Sequence, residues 1–89
     1  MKELTREYLA VAARRLLTAR DIATSDPATA LSSAYYAALY AARAALHEDG
    51  VAVRSHRGVW HEFRRLMVLP GSVEPELATA IQRLQTTRR

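Results

Sequence analysis

Residues 32–46, SSAYYAALYAARAAL, decide the fold that we expect for this chain of 89 residues. Plotted at 100° per residue, they form a helix with a broad apolar face. That face comprises Leu31, Ala34, Tyr35, Ala38, Leu39, Ala42, Ala45 and Leu46. The opposite face carries Tyr36, Tyr40, Arg43 and His47, flanked by Ser33, Ala37 and Ala44. We therefore predict that this helix lies at the centre of a bundle or is covered on its second side by another chain.

Length and composition limit the class of protein. A single domain over residues 1–89 is near the size at which a core supplies only roughly 3–5 kcal/mol, which favours oligomerisation. There is no cysteine, so disulfides and thiolate metal sites are excluded. No segment approaches the roughly 18 consecutive apolar residues that span a bilayer, and residues 1–15 carry charges where a signal peptide is apolar. We expect a cytoplasmic protein with no membrane partner.

The charge balance permits a polyanionic partner. Thirteen basic residues against nine acidic ones give a formal net charge of +4, and twelve of the thirteen are arginine. This balance is compatible with binding to RNA. An alanine- and arginine-rich composition also follows from GC-rich coding, so the distribution of the charges matters more than their sum.

Capping signals divide the chain into four helices. Residues 4–24 have an apolar stripe formed by Leu4, Tyr8, Val11, Ala12, Ala19, Ile22 and Ala23, with Leu9 and Leu16 at its edge. Asp26 as N-cap and Pro27 at the first helical position begin a second helix, which Gly50 ends after residue 49. Ser55 is a plausible N-cap for a third helix over residues 56–67.

The fourth helix is predicted to begin at Pro75, with Val73, Leu77, Ile81 and Leu84 in register. Continuing this stripe by one turn brings Arg88 to the inward face. The connections between the four helices are short, which predicts antiparallel neighbours. The fold expected is therefore an all-α, four-helix up-and-down bundle.

Several charged residues have two interpretations on the sequence alone. Arg15 lies within the apolar stripe of the first helix, where its stem can cover the edge of the core or its guanidinium can point into a site between helices. His56 is either a structural hydrogen-bonding residue beside Trp60 or part of a site. Arg57, His61 and Arg64 form either a solvated basic face or a patch that contacts phosphates.

Most signatures of catalytic and cofactor sites are absent from the sequence. There is no glycine-rich phosphate loop, no HExxH and no serine nucleophile motif, and three glycines cannot build a dinucleotide site. The helical wheel does not predict convergence of His47, His56 and His61 on a metal. We therefore expect no metal and no cofactor.

Three segments resemble the HEPN family of helical domains, and the resemblance as a whole extends over about residues 6–88. They are YYAALYAARAALHEDG from Tyr35, RSHRGVWHEF from Arg54, and LPGSVEPELATAIQRLQTTR from Leu69. The resemblance implies a helical bundle that forms a symmetric homodimer. It also implies a genetic setting beside a small nucleotidyltransferase, often as a toxin and antitoxin pair.

Many HEPN proteins are metal-independent ribonucleases with an arginine, four to six residues, and then a histidine. In such a site the arginine holds the scissile phosphate and the histidine transfers a proton. Arg54 and His61 have this spacing, and Arg88 matches the position of the family arginine near the end of the segment. The final helix of the family, with its Asp-Tyr pair, is expected to be missing, which leaves the catalytic motif incomplete.

Two functions follow from this resemblance. The first is a HEPN-like module that dimerises and binds a nucleotidyltransferase partner, RNA or a nucleotide within a toxin–antitoxin type system. Its binding residues would be Tyr36, Tyr40, Arg43, His47, His56, Arg57 and Arg64, and its dimer interface Tyr36, Tyr40 and Arg43. The alternative is a toxin ribonuclease that uses Arg54, His61 and Arg88 in a site shared across the dimer. A helical interaction module with no nucleic-acid role is the third interpretation.

Overall fold

The described part of the chain is entirely helical. The computed structural model describes residues 1–68 together with Glu76, Thr79, Ala80 and Arg83. It contains three α-helices, α1 (Glu3–Ile22), α2 (Pro27–Glu48) and α3 (His56–Phe63), and a π-helical turn follows α3 at Arg64–Val68. No strand occurs within these residues. The all-α class predicted from the sequence is confirmed.

The predicted fourth helix lies largely outside the described residues. Of its positions, the structure describes only Glu76, Thr79, Ala80 and Arg83, which are helical and exposed. They follow one another at helical spacing, on the side of the predicted helix opposite its apolar stripe. Within the described ranges, no helix is both long and apolar enough to cross a bilayer.

Local hydrogen bonds set the ends of α2 where the sequence predicts them. The carboxylate of Asp26 accepts from the backbone nitrogen of Thr29 at 3.2 Å and from its hydroxyl at 2.6 Å, so it caps the helix start. At the other end, Gly50 has a φ of 82°, in the left-handed region that favours glycine. The amides of Gly50 and Val51 donate to the carbonyls of His47 and Leu46, both at 2.9 Å, which is a Schellman motif.

The helices α1 and α3 differ slightly from the predicted ranges. Helix α1 ends at Ile22 rather than at residue 24, because the chain turns there and the amide of Asp26 donates to the carbonyl of Ile22 at 2.8 Å. Helix α3 begins after the predicted cap, where the Ser55 hydroxyl accepts from the amide of Gly58 at 2.9 Å. The predicted third helix was continuous to residue 67, whereas the structure changes to a wider π-helical turn after residue 63.

Helix α2 is the central helix of the described residues, packed on two sides by the same chain. One side buries Tyr35, Leu39, Ala42 and Leu46 in a cluster with Val59 of α3. The other side buries the small residues Ala30, Ser33, Ala37 and Ala44. On that side the Ser33 hydroxyl donates to the backbone carbonyl of Arg15 in α1 at 2.8 Å. Among the described residues, α1 and α3 of the same chain thus cover parts of both faces of α2.

Helix α1 packs through small side chains rather than through its leucines. Its buried residues are Thr5, Ala12 and Ala19, which recur every seven positions along the helix. Small residues on both helices allow a close approach of the two backbones, which rotates the larger side chains to the flanks. The predicted stripe is therefore displaced, because Leu4 is exposed and so are the two edge residues Leu9 and Leu16.

The first residues of the chain are attached to the end of α2. The Lys2 ammonium donates to the carbonyl of His47 at 3.0 Å, a favourable position for a cation at a helix C-terminus. The Lys2 amide donates to the Glu48 carboxylate at 3.2 Å. The nearby Thr5 hydroxyl, and then this bond from Lys2, hold the pKa of Glu48 below its ordinary value of 4.5.

Replacing Leu39 by alanine is expected to destabilise the domain by about 2–5 kcal/mol, because its side chain is only 1 % exposed and a cavity would remain. Urea unfolding followed by circular dichroism measures the change. The matched control is Leu17→Ala, since Leu17 is 49 % exposed and its truncation should cost within about 0.5 kcal/mol. Equal losses in the two variants would contradict the described core.

The lowered pKa of Glu48 predicts that the stability of the fold depends on pH in the acid range. A carboxyl whose pKa is lower in the folded state stabilises the fold above its ordinary value, 4.5 here. This contribution is lost as the pH falls through the lower folded value. The midpoint of thermal unfolding should therefore drop less between neutral and acid pH in Glu48→Gln than in the parent, with Glu7→Gln as the exposed control. Identical pH profiles for the parent and Glu48→Gln would contradict this.

Candidate functional site

A cavity of about 350 Å³ lies where the start of α1, the end of α2 and the linker of residues 51–54 meet. We call it the Arg43 cavity. Its walls are mainly apolar, and three of the sequence-predicted site residues reach it, namely Arg43, His47 and Arg54. The full lining comprises Leu4, Tyr8, Arg43, Leu46, His47, Val51, Ala52, Val53, Arg54 and Val59. Two guanidinium groups and an imidazole at one opening make it a candidate site for an anion.

The guanidinium of Arg43 is fixed from two directions. Its Nη2 donates to the backbone carbonyl of Arg54 at 3.2 Å, and its Cζ lies 5.6 Å from the centroid of the Tyr40 ring, a cation–π contact. Its Nε is buried and has no hydrogen-bond acceptor among the described residues. A buried donor left unpaired costs about 1–3 kcal/mol.

Aromatic rings support this arginine from the side of α1. The ring of Tyr8 lies 5.9 Å from that of Tyr40 and 6.1 Å from the imidazole of His47, in the second case edge to face. The sequence identified Tyr8 only as a core residue of α1, and it was missed as a site residue. Only the tertiary structure shows this role of Tyr8. Because α1 packs on α2 through every seventh residue, Tyr8 is directed toward the carboxyl end of α2.

A second, more open cavity of about 480 Å³ lies on the other side of the same linker. We call it the His61 groove, and its cationic residues are Arg57, His61 and Arg65. The full lining comprises Val51, Ala52, Val53, Ser55, Arg57, Gly58, His61, Glu62 and Arg65. The Nε and Nη2 of Arg65 donate to the Glu62 carboxylate at 2.9 and 2.7 Å, which offsets part of the positive charge. Arg65 was missed from the sequence, although it follows His61 by one helical turn.

Two of the three predicted catalytic residues, Arg54 and His61, line different cavities of the protomer. Arg54 lines the Arg43 cavity and His61 lines the His61 groove, with residues 51–53 forming a wall common to both. Arg88 lies outside the described residues. Arg64, predicted as a binding residue, is exposed in the π-helical turn and lines neither cavity.

Tyr36 and His56 belong to a third cluster, between α2 and α3. The indole nitrogen of Trp60 can only donate, and it lies 3.4 Å from the hydroxyl oxygen of Tyr35. The same hydroxyl is hydrogen-bonded with Nδ1 of His56, 3.3 Å away. The ring of Tyr36 meets the His56 imidazole edge to face at 5.9 Å. This geometry matches the structural interpretation of His56.

The face of α2 predicted as a dimer interface is partly occupied by α1. Tyr36, Tyr40 and Arg43 are all half-buried, and Tyr40 contacts Tyr8 of the same chain. The side chain of Arg15 is exposed, and its Cζ lies 5.8 Å above the ring of Tyr36. Of the two interpretations of Arg15, this contact favours the one in which the guanidinium lies at the edge of the core.

Comparisons with protein-family models, with curated proteins and with solved structures give no match to the chain. The functional argument therefore depends on the residues and their geometry. Within the described residues, no group of three or more His, Asp or Glu is arranged to hold a metal ion.

Gly58→Ala is expected to destabilise the fold and alter the wall between the two cavities. A Cβ at this position would overlap the side chain of Val53 and lie 2.9 Å from the Ser55 hydroxyl. Alanine gains about 1 kcal/mol over glycine in helix propensity, but overpacking against a β-branched side chain costs about 1–3 kcal/mol. Urea unfolding should show a net loss of stability.

The double variant Gly58→Ala/Val53→Ala tests the cause of that loss. Removing the methyl groups of Val53 relieves the overlap, so the double variant should be more stable than the sum of the two single changes predicts. Strict additivity of the two changes would show that the contact with Val53 is not responsible.

Proposed function

We propose that this chain is an RNA-binding module of the HEPN type. In this proposal it completes a four-helix bundle, forms a homodimer and acts in the cytoplasm with a nucleotidyltransferase-type protein in a toxin–antitoxin system. The support for the family is the set of three resembling segments around residues 35–50, 54–63 and 69–88. The support for RNA as the ligand is the distribution of cations around the linker of residues 51–54.

The observation that carries the proposal is one cavity lined by Arg43, Arg54 and His47, in which the protein holds the Arg43 side chain in place. Phosphate oxygens are acceptors that match a guanidinium, and they bring the negative charge that this opening lacks. The hydrogen bond to the Arg54 carbonyl and the contact with Tyr40 hold the group in place. Because the arginine is already ordered, a bound phosphate would cost little further side-chain entropy.

The positions of the two cavities fit a polymer better than a single phosphate. The Arg43 cavity and the His61 groove lie on opposite sides of residues 51–53, and each has its own cations. A strand that crosses the linker would contact Arg54 on one side and Arg57 and His61 on the other. The tyrosines beside Arg43 offer ring faces and edges for an unstacked base, as in single-stranded RNA recognition.

The ribonuclease alternative has weaker support from the geometry. Arg54 and His61 line different cavities of one protomer, so they do not jointly surround a single phosphate. A shared site would need a second protomer to bring its His61 to the first protomer's Arg54. Binding without cleavage is therefore the function that the described residues support best.

Arg43→Met is expected to weaken the binding of a fluorescein-labelled, single-stranded RNA about tenfold, measured by fluorescence anisotropy. Methionine keeps an unbranched stem but loses the charge and the donors. The slope of log affinity against log salt concentration should fall by about one, as expected for a lost phosphate contact. Arg14→Met removes the same charge from an exposed position of α1 and is the matched control.

The same samples test the alternative. RNA incubated with the parent protein in EDTA should remain intact on a denaturing gel. Cleavage that disappears in His61→Ala would instead support the ribonuclease. Equal weakening in Arg43→Met and Arg14→Met would show that only net charge is sensed and would overturn the assignment of the Arg43 cavity.

A further inference from the structure

The outer face of α1 exposes more leucine than a solvated helix requires. Leu9, Leu16 and Leu17 are 40 %, 60 % and 49 % exposed, and Ala13 lies exposed between them. On a helical wheel these four residues fall within one arc beside the buried positions of α1, on the flank away from Tyr8. A continuous apolar strip of this kind marks an interaction surface more often than scattered single leucines do. We call it the outer leucine face.

Arginines frame this face at both ends. Arg6 lies about one turn before Leu9 and Arg20 about one turn after Leu16, and both fall within the same arc of the wheel. The Arg20 guanidinium has one carboxylate neighbour, Asp21, at 3.4 Å, with both side chains at least two-thirds exposed. The glutamates of α1, Glu3 and Glu7, lie outside that arc on the wheel. The face is therefore apolar in its centre and positive at its ends.

A second copy of the chain does not complement this pattern. In an antiparallel pair that places Leu9 opposite Leu17 of a second copy, Arg6 comes opposite Arg20 of that copy. In a parallel pair each arginine comes opposite its own counterpart. Both arrangements bring like charges together at the ends of the contact, which disfavours the pairing.

We propose that the outer leucine face docks an acidic amphipathic helix of a different protein. Such a helix would place its own apolar stripe over Leu9 and Leu16, and its carboxylates beside Arg6 and Arg20. In helix–helix recognition of this kind, apolar anchor residues recur at helical spacing and the charged residues beside them select the partner. The net charge of +4 for the chain also favours encounter with an acidic protein.

This surface is separate from the proposed RNA site. Tyr8 and Leu4 of α1 line the Arg43 cavity on the side toward α2. The outer leucine face lies on the solvent side of the same helix. The inference therefore does not depend on RNA binding, and each can fail alone.

The probe for this surface is a fluorescein-labelled three-heptad peptide with Leu at positions a and d and Glu at positions e and g, used where it is monomeric. A matched peptide has Lys in place of every Glu. Anisotropy titrations with the full chain should show at least tenfold tighter binding of the Glu peptide, with a preference that declines as salt is added. Equal binding of the two peptides, or binding of neither, would overturn the proposal.

Charge reversal gives the sharper test. In Arg6→Glu/Arg20→Glu, two exposed positions change and the core is untouched, so the fold should persist by circular dichroism. This variant should reverse the preference and bind the Lys peptide more tightly. Leu9→Ser/Leu16→Ser should bind neither peptide, whereas Arg43→Met should bind the Glu peptide as the parent does.

Light scattering separates this occupant from a second copy. The parent and Leu9→Ser/Leu16→Ser should have the same mass in solution, whatever the oligomeric state of the chain. A lower mass in the serine variant would show that a second copy covers the face, and it would overturn the assignment to a different protein.

Discussion

The close contact between α1 and α2 is the constraint on which the rest of the described structure depends. It is made by alanines and by the hydrogen bond from Ser33 to the carbonyl of Arg15, so the two backbones approach with little side-chain volume between them. Two consequences follow from this choice. Tyr8 is directed to the end of α2, where it supports Arg43, and the leucines of α1 are left on the outside.

The linker after α2 forms a wall of the candidate site. The Schellman motif at Gly50 fixes the direction in which the chain leaves α2, and the absence of a side chain at Gly58 lets Val53 lie close to the start of α3. Residues 51–53 thereby become a wall with a cavity on each side. The positions of the cations around this wall are set by backbone geometry as much as by side-chain charge.

Polar side chains among the described residues have different roles, either in joining the helices or in the candidate site. The hydrogen bonds among Trp60, Tyr35 and His56 are directed inward and join α2 to α3. Arg43 also bonds to the chain, but its Nε remains buried and unpaired among the described residues. Two buried side-chain atoms lack a partner among the described residues, the Thr5 hydroxyl oxygen and the Arg43 Nε, and of these two residues only Arg43 lines a cavity together with other basic side chains. That contrast is the reason for assigning binding to Arg43 rather than to His56.

Local signals in the sequence determined the helices and their ends, because Asp26, Gly50 and Ser55 act through neighbours within a few residues. The sequence also determined that α2 has two faces suited to burial. It did not determine which partner covers the second face, or that Thr5 joins the predicted Ala12 and Ala19 in the buried stripe of α1 while Leu4 is exposed. Periodicity ranks positions by hydrophobicity, whereas close helix packing selects small side chains. Nor did the spacing of Arg54 and His61 reveal that the two residues line different cavities. Only the tertiary structure decided these points, because they depend on the distance between backbones that are far apart in the sequence.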